Sequence, residues 1–188
     1  SLEEEIRKIL KRIREEVKRL TEENDKTLKD SERNVRENLT EIERILREAA
    51  DDVRRLEEEL REDERVLELI KRADKKLKDL VRDILRRIDE MLKRSREVVR
   101  EVKRTNKEML ERIERIVKRA TDLIREGRPE EVVERVLREL ERLLEEIRDR
   151  NKKTLDDLRR INEEVNRISK DALEELRRLL RELRELVK

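Results

Sequence analysis

Along this chain, apolar residues recur at alternating steps of three and four, the spacing that stacks side chains on one face of an α-helix. The first run is Leu2, Ile6, Ile9, Ile13, Val17, Leu20, Asn24, Leu28, Ser31, Val35, Asn38, Ile42, Ile45, Ala49, Val53, Leu56 and Leu60. The next step lands on Asp63 or Glu64, and the stripe fails. Asp63 has the chemistry of a helix N-cap, because its carboxylate can accept the free N–H groups of the following turn. A second run leads from Val66 through Ile70, Ala73, Leu77, Leu80, Ile84, Ile88, Met91, Ser95, Val98, Val102, Thr105, Met109, Ile113, Ile116 and Ala120 to Leu123. It stops before Gly127-Arg128-Pro129, where glycine suits the left-handed residue past a helix end and proline suits the start of the next helix. The third run leads from Val133 through Val136, Leu140, Leu143, Ile147, Asn151, Thr154, Leu158, Ile161, Val165, Ile168, Ala172, Leu176, Leu179 and Leu183 to Leu186.

The pattern predicts helices over about 2–61, 64–126 and 129–188 within one domain, residues 1–188. Near-equal segments joined by short connections favour antiparallel neighbours. The expected fold is therefore all-α: an elongated, coiled-coil-like, up-down-up three-helix bundle. A break at Ala49-Ala50-Asp51-Asp52 would instead give four shorter helices, but the stripe continues through it to Leu60. Leu85, Leu92, Val99, Leu110, Val117 and Ile124 flank the second stripe and widen it, so that each helix can face two partners.

Polar residues interrupt the stripe. Asn24, Ser31, Asn38, Ser95, Thr105, Asn151 and Thr154 fall on core-facing positions, with Asn34, Asn106, Asn162, Asn166 and Ser169 at the stripe's edge. In an up-down-up bundle, residue i of the first helix lies level with about 125 minus i of the second and about i plus 130 of the third. That places Asn24 near Thr105, Asn106, Asn151 and Thr154, and Ser31 and Asn34 near Ser95 and Asn162. A third level groups Asn38 with Asn166 and Ser169. A buried amide without a partner costs about 1 to 3 kcal/mol, so clustered amides are expected to hydrogen-bond one another across the bundle. Edge asparagines have the further option of facing water.

Composition narrows the function. Of 188 residues, 56% are charged and 34% hydrophobic; there is no aromatic residue, no cysteine, no histidine, one glycine and one proline. Lys and Arg number 54 and Asp and Glu 52, giving a formal net charge of +2 with the signs interspersed. Such a surface lacks the basic face that nucleic acid requires and the uncompensated Lys/Arg cluster that an anionic membrane requires. No apolar run is long enough for a membrane span or a signal peptide, so a soluble chain without a targeting signal, cytoplasmic if expressed, is expected.

Catalytic chemistry finds little to work with. No stripe position carries a carboxylate, no imidazole is present to act as a base or ligand, and Gly127 stands alone where a phosphate-binding loop needs several glycines. Catalytic, metal-binding and cofactor-binding residues are all expected to be absent. Pairs such as Asp156-Asp157 and Glu163-Glu164 are read as a solvated face that pairs with Lys and Arg along the helix.

Uniform Leu/Ile/Val stripes, Glu/Lys/Arg surfaces, near-equal helices, the Gly127-Arg128-Pro129 connector and level-matched Asn/Ser/Thr clusters together resemble de novo designed helical bundles with buried hydrogen-bond networks. The resemblance covers the full chain and transfers no catalytic residue. It implies a thermostable structural scaffold that needs no partner. The alternative is a helical interaction module, in which the polar levels specify a second copy or a partner helix.

Overall fold

A computed structural model describes residues 1–127 and 130–186. Among them the chain forms three α-helices and no strand: α1 (Leu2–Glu59), α2 (Glu64–Arg125) and α3 (Glu130–Glu185). Arg128 and Pro129 of the predicted connector, and Val187 and Lys188 at the end of the third predicted helix, lie outside the described residues. Helix α1 passes unbroken through Ala49–Asp52. Ala49 is fully buried and Val53 and Leu56 continue its face inward, so packing holds the helix where a break was conceivable.

The helix ends follow local chemistry. Asp63 caps α2: its Oδ1 accepts from the Val66 N–H at 3.3 Å, and its carbonyl accepts from the Leu67 N–H at 3.0 Å. Past the end of α2, Gly127 has φ of 73°, and its N–H donates to the Ile124 carbonyl at 3.1 Å. A Cβ at Gly127 would meet no atom within 4 Å, so the positive φ alone favours glycine there.

The chain divides into two compact units, each containing a segment of all three helices. Unit 1 comprises Ser1–Lys29 and Ser95–Arg159. Its core joins Ile6, Ile13 and Val17 of α1, Met109, Ile113, Val117 and Ala120 of α2, and Val133, Leu140, Leu143 and Ile147 of α3. Arg14 meets Glu114 and Arg125 meets Glu3, so α2 runs antiparallel to α1. Glu16 meets Arg148 and Asn24 meets Asn151, so α3 runs parallel to α1.

Unit 2 comprises Asp30–Arg94 and the chain from Arg160 onward. Val35, Ile42, Ile45 and Ala49 pack there with Leu77, Val81, Ile84 and Ile88 of α2 and with Val165, Ile168, Ala172, Leu176 and Leu180 of α3. Near the α1–α2 turn a smaller cluster joins Val53, Leu56, Ile70 and Leu183. Each fully buried Leu or Ile contributes about 1.5 to 3 kcal/mol by leaving water, so this aliphatic lining is the main force in both units.

One detail of α2 departs from the predicted stripe. Val81, Val99 and Val117 are buried, whereas their neighbours Leu80, Val98 and Ile116 are only half-buried. At each of these steps two adjacent apolar residues satisfy the spacing, and the second lies deeper.

Candidate functional site

The polar groups inside the apolar stripe set this chain apart from a plain aliphatic bundle. In unit 1, Asn24, Asn106 and Asn151 form a layer that ties the three helices together. Asn24 and Asn151 are 0% exposed and Asn106 is 2% exposed. Asn151 is the hub. Its Oδ1 accepts from Asn24 Nδ2 at 2.8 Å and from Asn106 Nδ2 at 3.0 Å. Its own Nδ2 donates to Asn106 Oδ1 and to the Ile147 carbonyl, each at 2.7 Å.

The remaining amide hydrogens are also used. Asn24 Nδ2 donates to the Leu20 carbonyl at 3.0 Å, and Asn106 Nδ2 donates to Thr21 Oγ1 at 3.1 Å. Thr21 in turn donates to the Val17 carbonyl at 2.8 Å. All six N–H bonds of the three amides are therefore satisfied. One acceptor is not: Asn24 Oδ1 is buried without a hydrogen-bond partner. An orphan acceptor of this kind costs about 1 to 3 kcal/mol, which is set against the net gain from the layer's satisfied bonds.

Other predicted members of this level are placed differently. Thr105 is half-buried and lines a groove between α2 and α3 with Val98, Val102 and Thr154. Thr154 is buried, and its hydroxyl donates to the Arg150 carbonyl one turn back at 3.0 Å. Neither hydroxyl joins the amide layer. Ser95, also in unit 1, is buried on α2.

In unit 2 a second amide group joins α1 to α3. Asn34 Nδ2 donates to Asn162 Oδ1 at 3.0 Å and also to Asn166 Oδ1, which further accepts from Asn38 Nδ2 at 3.3 Å. Asn34 thus links two levels that the numbering kept apart. This ladder is shallower than the layer in unit 1: Asn34, Asn38 and Asn162 are half-buried and Asn166 is exposed. Ser169 is 1% exposed, and its hydroxyl has no hydrogen-bond partner. Ser31 is buried on α1.

The absence of carboxylates from the stripe needs one correction. Asp52 is 7% exposed, buried beside the core of unit 2. Arg184 Nε donates to its Oδ2 at 2.8 Å, and Arg55 Nη2 donates to its Oδ1 at 3.2 Å. Asp52 directly precedes the core residue Val53, and the arginine that neutralises it comes from α3. Pairing of this kind is what allows a carboxylate to be buried at all.

A second charged clasp lies in unit 1. The Arg148 guanidinium grips Glu16 with two parallel bonds, Nη2 to Oε2 at 2.8 Å and Nε to Oε1. Those hydrogen bonds hold the Glu16 carboxyl below its ordinary value of 4.5, outweighing a partial desolvation that pushes it up, and the same clasp raises the pKa of Arg148. With its folded pKa depressed, Glu16 contributes stability that is fully present above about pH 4.5 and is lost as pH falls through the folded value. The partners are partly exposed, at 46% for Arg148 and 19% for Glu16, so the contribution is about 0.5 to 1 kcal/mol. Acid titration of stability should show Glu16→Gln weaker than the original chain by this amount at pH 7 and equal to it near pH 2, whereas a constant gap would refute the linkage.

Among the described residues no group of three or more Asp or Glu is placed to hold a metal ion, and no helix is long and apolar enough to cross a membrane. The remaining charges pair mostly along their own helices, as in Arg44 with Glu48 and Lys78 with Asp74. The described residues thus provide two amide groups, the paired Asp52, the Glu16–Arg148 clasp and further ion pairs between helices such as Lys103 with Asp25 and Glu41 with Arg177. No protein-family model matches the chain, and no curated protein or solved structure shows significant similarity to it.

Proposed function

We propose that this chain is a self-contained structural scaffold of the designed type, without catalytic activity, resident cofactor or obligatory partner, in which buried amide layers specify how the helices align. The observation that carries this reading is that the unit 1 layer satisfies all its donors internally. Every amide hydrogen of Asn24, Asn106 and Asn151 finds an acceptor within the same chain, so none of its donors calls for a second chain.

Chemistry supports the same reading. Without imidazole or thiol, the titratable groups are carboxylates, lysines and arginines, and the buried Asp52 is already neutralised by Arg184 and Arg55. Aliphatic cores, helix-surface ion pairs and amides matched between helices agree with one another across levels, the consistency that designed sequences aim for and that confers high thermal stability.

A slip of one helix along another would set asparagine side chains against Leu and Ile, and each stranded amide would cost about 1 to 3 kcal/mol. The layers thereby favour one alignment among the several that an apolar stripe alone permits. Sedimentation or light scattering tests the self-contained part of the proposal. A mass of 23.2 kDa, unchanged as concentration rises, is expected. A multimer that grows with concentration would overturn it in favour of an interaction module.

A further inference from the structure

Cross-helix polar contacts are distributed unevenly along α2. In unit 1, α2 is fastened to both neighbours: Asn106 to Thr21 and Asn151, Lys103 to Asp25, Glu114 to Arg14, and Arg112 to Glu139. In unit 2 the described cross-helix links join α1 to α3: Asn34 to Asn162 and Asn166, Asn38 to Asn166, Glu41 to Arg177, and Asp52 to Arg184. Residues 64–90 of α2 take part in none of them. Their charges pair within α2 itself, as Arg72 with Glu68, Lys78 with Asp74, and Arg86 with Asp83.

We infer that residues 64–90 of α2 form a detachable arm, held in unit 2 by apolar packing alone and able to open while α1 and α3 stay joined. Two further features favour release of this segment. Leu69 and Leu85, at 42% and 41% exposed, both lie on it, so part of its apolar surface gains nothing from docking. Its connection to α1 is also electrostatically weak. The last turn of α1 has no basic residue, and Glu57, Glu58 and Glu59 stand at the negative end of the helix dipole.

What docks the arm is the burial of Ile70, Leu77, Val81, Ile84 and Ile88. This is non-directional, whereas the Asn34 and Asp52 contacts keep α1 and α3 in place after the arm leaves. Most helical stability in proteins comes from packing of an amphipathic face, so undocking removes the main support of this segment's helix and opens its amides to exchange. The fold thus contains an element that leaves first, and the groove between α1 and α3 that it uncovers.

Native-state hydrogen exchange of the intact chain, followed by mass spectrometry at low denaturant, tests this directly. Amides of residues 67–88 should exchange together, on the order of tenfold or more faster than those of 104–117 on the same helix. Residues 35–56 and 165–183 should remain slow over the same interval. Equal rates for the two α2 segments, or loss of protection in all three helices of unit 2 at once, would overturn the inference.

Discussion

Replacing Asn151 by alanine should destabilise the chain by about 3 kcal/mol, because one truncation strands several polar groups in a site without solvent. Asn24 and Asn106 would each lose the acceptor of one Nδ2 hydrogen, and Asn106 Oδ1 would lose its donor. The Ile147 carbonyl loses only a supplementary bond and matters less. Asn34→Ala removes an amide of similar chemistry, but at a half-buried position where its partners can turn to water, so its cost should stay below about 1 kcal/mol. Equilibrium unfolding in guanidinium separates the two cases. Equal effects would mean that burial does not govern the energetics of these amides.

Truncating Leu176 to alanine should cost a comparable amount, about 3 kcal/mol, from lost transfer energy and the cavity left behind. Leu176 is 0% exposed within the larger apolar cluster of unit 2, whereas Leu39 packs against the same cluster half-buried. Leu39→Ala should therefore cost about 1 kcal/mol, since less area returns to water and solvent can fill the gap. Measured by the same unfolding experiment, a Leu176→Ala loss no larger than that of Leu39→Ala would show that this core is loosely packed.

These two predictions rest on features that differed in how far the sequence revealed them. The helices, and the breaks near Asp63 and Gly127, were legible because aliphatic spacing, a capping carboxylate and a lone glycine each act over a few residues. The relation between helices was legible too: Asn24 and Asn151 are separated by 127 residues, Asn34 and Asn162 by 128, close to the offset that the turns imply. Depth was harder to read. After Val102 both Thr105 and Asn106 fit the next step, and the pattern favoured Thr105. The structure turns Asn106 inward because the seam runs through Val99 and Val102 to Met109 and Ile113.

The groups that complete the site were less visible still. Thr21 joins the layer because it lies one turn before Asn24 on the same face, a local signal that stripe counting passed over. Asp52 gave no sign of burial, since its position depends on Arg184, far away in the chain. The orphan Oδ1 of Asn24 follows only from the three-dimensional donor count, which periodicity does not contain.

The central claim is that the amide layer of unit 1 fixes alignment at the expense of stability. Its most direct test is guanidinium unfolding of a chain in which Asn24, Asn106 and Asn151 are all replaced by leucine. This change removes every stranded donor and acceptor together, including Asn24 Oδ1, and adds apolar burial at a level flanked by aliphatic layers. The account predicts a higher unfolding midpoint than that of the original chain. A midpoint lowered as far as that of Asn151→Ala alone would contradict it, because the layer would then be a net source of stability.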